Sequence, residues 1–145
     1  MQACVIIPAR YASTRYPGKP LVDLLGKPMI NIVAELSAKA VGKDNVFVAT
    51  ENKQIADTVT SAGFTAIMTD PNAATGTDRI AEACLGSSYD IIVNVQGDEP
   101  LLNPDDILKC IEIKKQNMDK VVTGFAWISE DEDPTRTTIV KAITN

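Results

Sequence analysis

Short apolar runs alternate with helix-like segments along this chain, and this alternation strongly limits the folds available to it. The first run, residues 3–7, is rich in β-branched residues and contains no polar ones, which is typical of a strand buried on both faces. Further runs predict strands at 45–49, 65–68, 90–95, 120–127 and 138–143. Because strands that alternate with helices form right-handed βαβ units, the pattern predicts an α/β fold with a mostly parallel, doubly wound sheet.

Helix signals fill the gaps between the predicted strands. Pro28 suits the first turn of a helix, and Gly42 is placed to stop it, so we expect a helix over 28–41. Asn103, followed by a proline and two acids, is a strong helix start. Helices are also predicted at 50–63, 77–85 and 103–117.

Charge and residue content exclude several function classes. A net charge of −5 argues against nucleic acids and anionic membranes as partners, so any phosphate site must be local. The absence of histidine excludes Ser-His and Cys-His nucleophiles and histidine-bound metals. A metal would need oxygen ligands, which points to Mg²⁺. Cys4, Cys84 and Cys110 are widely spaced in apolar segments and predict reduced core thiols. With no leader or spanning segment, the expected location is the cytoplasm.

A cationic loop follows the first predicted strand. Pro8, which has no N–H, is expected to end the strand's ladder, and Arg10, Arg15 and Lys19 follow within a few residues. The loop fits neither the Walker pattern nor GxGxxG. Because open α/β sheets bind ligands at the carboxyl ends of their strands, the loop predicts a polyphosphate site. The alternative is a basic surface loop.

The predicted strand at 90–95 also ends in polar residues. Gln96 and Asp98 would reach the same sheet edge as the cationic loop. A carboxylate there is placed to hold a divalent ion on a phosphate. The alternative is that Asp98 and Glu99 are ordinary turn residues after Gly97.

A third polar segment opens the helix predicted at 77–85. Gly76 would let a ligand approach the backbone, while Thr75, Thr77 and Arg79 would supply hydrogen bonds. Alternatively, Thr77 only caps the helix and Arg79 lies at the surface.

Taken together, five segments resemble one family. They read IPARYASTRYPGKPL, LGKPMI, VATEN, MTDPNAATGTDRIAEA and IVNVQGDEPLLNP. They are similar to the successive motifs of the 3-deoxy-manno-octulosonate (Kdo) cytidylyltransferases, the CMP-Kdo synthetases. The resemblance extends over residues 5–140. The opening motif is shared in looser form with other nucleotide-sugar transferases, whereas the combination of RYASTRYPGKP, GTDR and VQGDEP is more specific.

The resemblance implies a Rossmann-like nucleotidyltransferase fold and a Mg²⁺-dependent transfer. The anomeric hydroxyl of Kdo would attack the α-phosphate of CTP, giving CMP-Kdo and pyrophosphate and activating the sugar for lipopolysaccharide synthesis. The implied partners are CTP and a Kdo-like sugar acid, and the full-length protein would be a homodimer. Such a transfer depends mainly on positioning and charge stabilisation.

The resemblance also assigns roles to residues of this chain. Arg10, Lys19 and Asp98 would be catalytic, with Asp98 as the metal ligand. Gln96 would face the sugar acid beside the nucleotide. The triphosphate would be held by Arg10, Ser13, Arg15 and Lys19. The cytidine pocket would be formed by Pro8, Ala9, Thr77 and Arg79, with Asp78 bracing it.

Two departures from the family pattern leave alternatives open. Family members commonly carry a histidine before Ser-Gly-Thr-Asp-Arg, where this chain has NAATGTDR at 72–79. A branch that activates 8-amino-Kdo has a similar Pro-x-Ala-Ala opening, so the sugar is either Kdo or its 8-amino analogue. Family members are also longer. We expect residues 1–145 to be the CTP-binding part, without the C-terminal part for sugar binding and dimerisation.

Other functions also stay open at this stage. The nearest enzymes are sugar nucleotidyltransferases that use a different base. From other classes, the chain could be a nucleotide-binding module without turnover or a structural remnant.

Overall fold

A four-stranded parallel sheet is the centre of the structure. The computed structural model describes residues 1–12, 16–129, 131–133 and 135–136. The strands of the sheet are β1 (Ala3–Pro8), β4 (Val46–Thr50), β5 (Thr65–Met68) and β6 (Ile91–Asn94). Their spatial order is β5-β4-β1-β6, and a short antiparallel pair, β2 (Asp23–Leu24) and β3 (Lys27–Pro28), lies outside this sheet. The chain therefore adds strands first on one side of β1 and then on the other.

Helices cover both faces of the sheet. The α-helices of the described residues are α1 (Met29–Val41), α2 (Lys53–Ser61), α3 (Gly76–Ala83) and α4 (Pro104–Gln116). Val5 and Ile7 of β1 belong to one core cluster with buried residues of α1, α2 and α4. Cys4 and Ile6 point to the other face, where they pack with Ile80 of α3. Because successive side chains of a strand point to opposite faces, β1 is buried on both sides. The predicted doubly wound α/β fold is confirmed.

Most predicted elements are confirmed, with small differences at their ends. β1 includes Pro8, which is in register with Ala49, and the next backbone N–H, that of Ala9, still donates to the Ala49 carbonyl at 2.9 Å. β1 therefore ends at Pro8, as expected, and the hydrogen bond from Ala9 lies just beyond its last residue. Gly42 ends α1 at φ 83°, and Asn103 caps α4 by accepting from Asp105 N–H at 3.1 Å.

The strand predicted at 120–127 is wrong. No described residue of this segment is in a strand, and Val121 and Trp127 are almost fully exposed. Its apolar residues indicated a strand, but no strand in the described part of the chain pairs with it, and an unpaired segment has no ladder to join. The strand predicted at 138–143 lies outside the described residues.

The order of the strands creates a crevice at one end of the sheet. β1 leads through α1 to β4 on one side, whereas β6 joins β1 on the other side after α3 has crossed the opposite face. At such a switch point, the loops that leave the two strands diverge, and open α/β sheets bind ligands there. The loops after β1 and β6 carry the cations and carboxylates singled out by the sequence. Among the described residues, none of the helices is long and apolar enough to cross a membrane.

Candidate functional site

A two-lobed cleft opens at the carboxyl ends of β1 and β6. The first lobe has a volume of about 520 Å³, and the second about 340 Å³. Pro8, Arg10 and Gln96 line both lobes, so they form the boundary between them. The first lobe is completed by Tyr16, Lys19, Pro20, Met29, Gly97 and Asp98, and the second by Ala73, Ala74, Thr75, Gly76 and Arg79. All three predicted segments therefore meet at this cleft.

The first lobe contains an ion pair between two of the predicted catalytic residues. Lys19 Nζ lies 2.7 Å from Asp98 Oδ2, although the two residues are 79 positions apart. Lys19 opens a 3₁₀ turn at the end of the cationic loop, and Asp98 follows β6. The lobe thus presents a cation suited to phosphate oxygens beside a carboxylate, with the exposed Arg10 at its edge.

The cationic loop is closed by backbone hydrogen bonding. The N–H of Gly18 donates to the carbonyl of Tyr11 at 2.9 Å, which joins the loop's two ends. Gly18 has φ 72°, and a Cβ there would lie 3.2 Å from the Tyr11 ring, so glycine suits both the turn and the contact. Ser13 and Arg15, two of the predicted triphosphate residues, lie outside the described residues.

Gly97 lets the loop after β6 pass close to the end of β1. A Cβ at this position would lie 3.1 Å from the carbonyl oxygen of Pro8 and 3.4 Å from Ile30 Cδ1. The backbone oxygen on one side or the buried Ile30 on the other would have to move by a few tenths of an ångström to admit a side chain. The absence of a side chain at Gly97 therefore suits the close approach of the loop after β6 to the end of β1.

The second lobe is bounded by the start of α3. Thr75 is the N-cap: its hydroxyl accepts from the Asp78 N–H at 3.1 Å, and Asp78 Oδ2 accepts from the Thr75 N–H at 2.9 Å. This capping box contradicts the alternative that Thr77 caps the helix, because the helix begins one residue earlier than expected. Asp78 braces the first turn of α3, and Gly76 lies close to Pro8, whose Cγ would be 3.4 Å from a Cβ at position 76.

Two predicted cytidine-pocket residues do not line either lobe. Thr77 is exposed in the first turn of α3. Ala9 is 3% exposed and belongs to the core beneath the cleft. Pro8 and Arg79 do line the second lobe, so the structure brings only part of the predicted pocket together.

Arg79 is buried, which contradicts the alternative that it lies at the surface. Its side chain is 5% exposed, Nη1 donates to the hydroxyl of Thr69, and Nη2 lies 3.0 Å from Glu51 Oε2. The Arg79–Glu51 contact is an ion pair without an aligned hydrogen bond to Oε2. The other oxygen of Glu51 accepts from the Tyr11 N–H at 2.8 Å. Sequence reasoning assigned no role to Glu51, although it lies in the quoted VATEN segment.

The cleft's only described carboxylate is compatible with one kind of metal site. Asp98 is the single acidic residue among the described residues that line the two lobes, and the described residues hold no group of three metal-ligating side chains. Mg²⁺ usually keeps several waters and is bound through one or two carboxylates plus substrate phosphates. The residues therefore fit a Mg²⁺ that arrives with a polyphosphate, and they do not form a closed protein site.

The cysteines are free thiols outside the cleft lining. Cys4 is buried in β1, whereas Cys84 and Cys110 are partly exposed, so the prediction of core thiols holds fully for Cys4 alone. Burial raises the pKa of Cys4 to about 11, and the nearby Cys84 adds to the rise. Burial also raises the pKa of Cys84. No described cysteine is therefore arranged as a nucleophile for the cleft.

The fold is that of the α/β nucleotidyltransferases, and its parallel sheet presents a charged crevice at the switch point. The cytidylyltransferase family model matches residues 4–145, and the chain belongs to this family.

Several known proteins are similar to this chain, and their names agree with the family that its motifs resemble. A 3-deoxy-manno-octulosonate cytidylyltransferase of Trichlorobacter lovleyi is 54% identical over 77% of this chain and 44% of its own length. An 8-amino-3,8-dideoxy-manno-octulosonate cytidylyltransferase of Shewanella frigidimarina is 42% identical over 91% of this chain and 56% of its own. The solved structure of a CMP:2-keto-3-deoxy-manno-octonic acid synthetase complexed with CTP aligns with a TM-score of 0.78 and 40% identity, covering 81% of this chain and 49% of that one. The chain thus spans about half the length of these relatives.

Proposed function

We propose that this chain carries the CTP-binding part of an enzyme that transfers CMP from CTP to the anomeric hydroxyl of Kdo. The sugar oxygen would form a bond to the α-phosphorus while the bond from that phosphorus to the pyrophosphate oxygen breaks. The observation that carries the proposal is the convergence of Arg10, Lys19 and Asp98 on one lobe at the switch point of the sheet. The family membership and the relative solved with CTP support the choice of nucleotide.

In this proposal, the first lobe receives the triphosphate. Lys19 and Arg10 would contact the phosphate oxygens and offset the charge that develops on the leaving pyrophosphate. Gln96 lies at the boundary of the lobes, where an amide could orient the sugar acid beside the α-phosphate. The predicted phosphate roles of Ser13 and Arg15 remain part of the proposal.

The second lobe would receive the cytidine. Its described walls are uncharged apart from Arg10 and Arg79, and the guanidinium of Arg79 is held by Thr69 and Glu51. A fixed buried donor group can read a base by hydrogen bonding, because misplaced partners leave polar atoms unpaired. We keep Ala9 and Thr77 in the proposal as residues whose contacts would come from the backbone or from a closed state of the cleft.

We propose that the activity depends on Mg²⁺, with Asp98 as its ligand from this chain. The ion would stabilise negative charge on the phosphates of bound CTP. The contact with Lys19 already holds Asp98 at the wall of the first lobe. The chain's own contribution is thus to orient one carboxylate beside the place where the phosphates would lie.

A second candidate substrate is 8-amino-Kdo. It is favoured by the relative from Shewanella frigidimarina and by the Pro-Asn-Ala-Ala run at 71–74, which resembles the branch that activates 8-amino-Kdo. The resemblance also leads us to propose a cytoplasmic homodimer that serves lipopolysaccharide synthesis. Light scattering on the full-length protein would test the dimer.

Nucleotide choice is the first test. We would titrate the protein with CTP, UTP and ATP, with and without Mg²⁺, and follow backbone amide shifts by NMR. Shifts specific to CTP with Mg²⁺ at Arg10, Lys19, Arg79 and Gln96 are expected. Equal responses to all three nucleotides would contradict the cytidylyltransferase proposal.

Turnover is the second test, because it separates an enzyme from a binding module. Pyrophosphate release would be measured with CTP and either Kdo or 8-amino-Kdo. Release with one sugar acid identifies the substrate. CTP binding without pyrophosphate release in the presence of either sugar acid would show that this chain binds nucleotide without turnover by itself.

A further inference from the structure

Glu51 connects two walls of the cleft without lining either lobe. Glu51 directly follows β4, the strand that lies between β1 and β5 in the sheet. Its Oε1 accepts from the backbone N–H of Tyr11 at 2.8 Å, and its Oε2 lies 3.0 Å from Nη2 of Arg79. One carboxylate therefore touches the loop that carries Arg10 and the side chain that forms a wall of the second lobe.

The contact to Tyr11 bears on both ends of the cationic loop. The Tyr11 carbonyl accepts from the Gly18 N–H at 2.9 Å, and Gly18 caps the turn that starts at Lys19. Tyr11 thus joins the two ends of the loop, and Glu51 fixes Tyr11. Arg10 immediately before Tyr11 and Lys19 immediately after Gly18 both line the first lobe.

The contact to Arg79 is made in a nearly dry environment. The side chains of Arg79 and Glu51 are 5% and 14% exposed. Removing two charges from water costs about as much as their attraction returns, so a buried pair of this kind is weak evidence for a stabilising role. The hydroxyl of Thr69 accepts a hydrogen bond from Nη1, the other terminal nitrogen of Arg79. The two contacts together fix the orientation of the guanidinium as well as its place. The arrangement therefore does more to fix the position of the Arg79 guanidinium than to stabilise the fold.

We propose that Glu51 is a positioning residue that aligns the cationic loop with Arg79, so that both lobes bind one nucleotide at the same time. This inference rests on the proposed function, since it requires a ligand with a base and a polyphosphate. Two subsites that are held in register bind a linked ligand far more tightly than its separate halves, because the second contact becomes intramolecular. Loss of Glu51 should weaken that linkage more than it weakens either subsite.

The experiment compares CTP with its two halves on Glu51→Gln. Gln keeps the size of the side chain but can supply an acceptor to only one of Tyr11 and Arg79. With Mg²⁺ present, we expect the affinity for CTP to fall about tenfold or more, and the affinities for cytidine and for tripolyphosphate to change less than about threefold. The control is Glu35→Gln, which removes an exposed pair with Lys27 and should leave all three affinities unchanged.

The outcomes separate the inference from the proposed function. A wild-type protein that binds no CTP would end the proposed function and the inference together. Wild-type binding with an equal CTP affinity in Glu51→Gln, or with losses for the halves as large as for CTP, would overturn the inference alone. If Glu51→Gln does not fold, Glu51→Asp keeps the charge and shortens the reach by one methylene. An unchanged CTP affinity in that variant would equally overturn it.

Discussion

The Lys19 ammonium and the Asp98 carboxylate meet at 2.7 Å on the wall of the first lobe, between Nζ and Oδ2. Their side chains are 49% and 50% exposed, and exposed ion pairs contribute only about 0–1 kcal/mol to stability. A ligand can therefore replace the Lys19–Asp98 contact with its own contacts to these two residues, at little cost to the stability of the fold. The cation is suited to a phosphate oxygen and the carboxylate to Mg²⁺, so in the proposed function the two ligand groups would lie side by side.

Lys19→Ala should weaken CTP binding and leave the fold intact. Loss of one charge-assisted hydrogen bond to phosphate should reduce the affinity about ten- to a hundredfold. Isothermal titration with CTP and Mg²⁺ measures the affinity, and urea denaturation measures the free energy of unfolding. Lys27→Ala is the control, because Lys27 is also a half-exposed cation paired with a carboxylate but lies outside the cleft lining. Equal CTP affinities for the two variants would contradict the phosphate assignment.

Asp98→Asn should reduce the effect of Mg²⁺ on CTP binding. An amide is a poorer ligand for Mg²⁺ than a carboxylate, while its size preserves the local packing. The measurement is a CTP titration at several Mg²⁺ concentrations, in which the variant should respond less steeply than wild type. Asp57→Asn, which removes an exposed carboxylate paired with Lys53, should keep the wild-type response. An unaltered Mg²⁺ titration in Asp98→Asn would exclude Asp98 from the metal site.

The sequence predicted the elements that local patterns determine. The buried strands read as apolar runs, and a parallel sheet brings the loops after β1 and β6 to the same edge, so the meeting of Lys19 and Asp98 followed from topology. The pair between Glu51 and Arg79 could not be predicted, because it depends on which side chains are buried together between two loops. The prediction of a strand at 120–127 was wrong for a related reason: the composition of this segment suits a strand, but a strand forms only when a neighbouring strand pairs with it.

Helix ends were less predictable than helices. Thr75 and Thr77 are both good caps by residue type, and the choice between them depends on where α3 turns toward β1. The capping box with Asp78 decides it, since the side chain three residues after Thr75 is an acid that returns the hydrogen bond. Arg79 is buried in the first turn of α3, where its guanidinium contacts Thr69 after β5 and Glu51 after β4.

Gly97→Ala and Gly76→Ala should have opposite effects on stability. The Cβ added at position 97 would meet the backbone oxygen of Pro8 at 3.1 Å, and overpacking of this kind costs about 1–3 kcal/mol. At Gly76, the nearest atom is Pro8 Cγ at 3.4 Å, and Gly→Ala at a compatible helical position stabilises by about 0.4–1 kcal/mol. Urea denaturation measures both changes. A Gly97→Ala variant as stable as wild type would show that the loop after β6 can move away from β1.

Stability should fall at alkaline pH because of Cys4. Burial raises the pKa of this thiol from 9.0 to about 11 in the folded protein. Between these values the unfolded chain loses the thiol proton while the folded chain keeps it, so unfolding releases a proton. The stabilising contribution is therefore complete below pH 9, and the free energy of unfolding should decrease as the pH rises toward 11.

Cys4→Val tests this dependence with an apolar side chain that suits a strand and has no ionisable group. The variant has no thiol at position 4, so its free energy of unfolding should decrease less between pH 9 and 11 than that of wild type, as measured by urea denaturation at each pH. Cys4→Ala should show the same flatter profile at a lower stability throughout, because it leaves a cavity beside Ile6 and Ile80. The two variants therefore separate packing from proton release. A decrease as steep as in wild type in both variants would assign the alkaline loss to other groups.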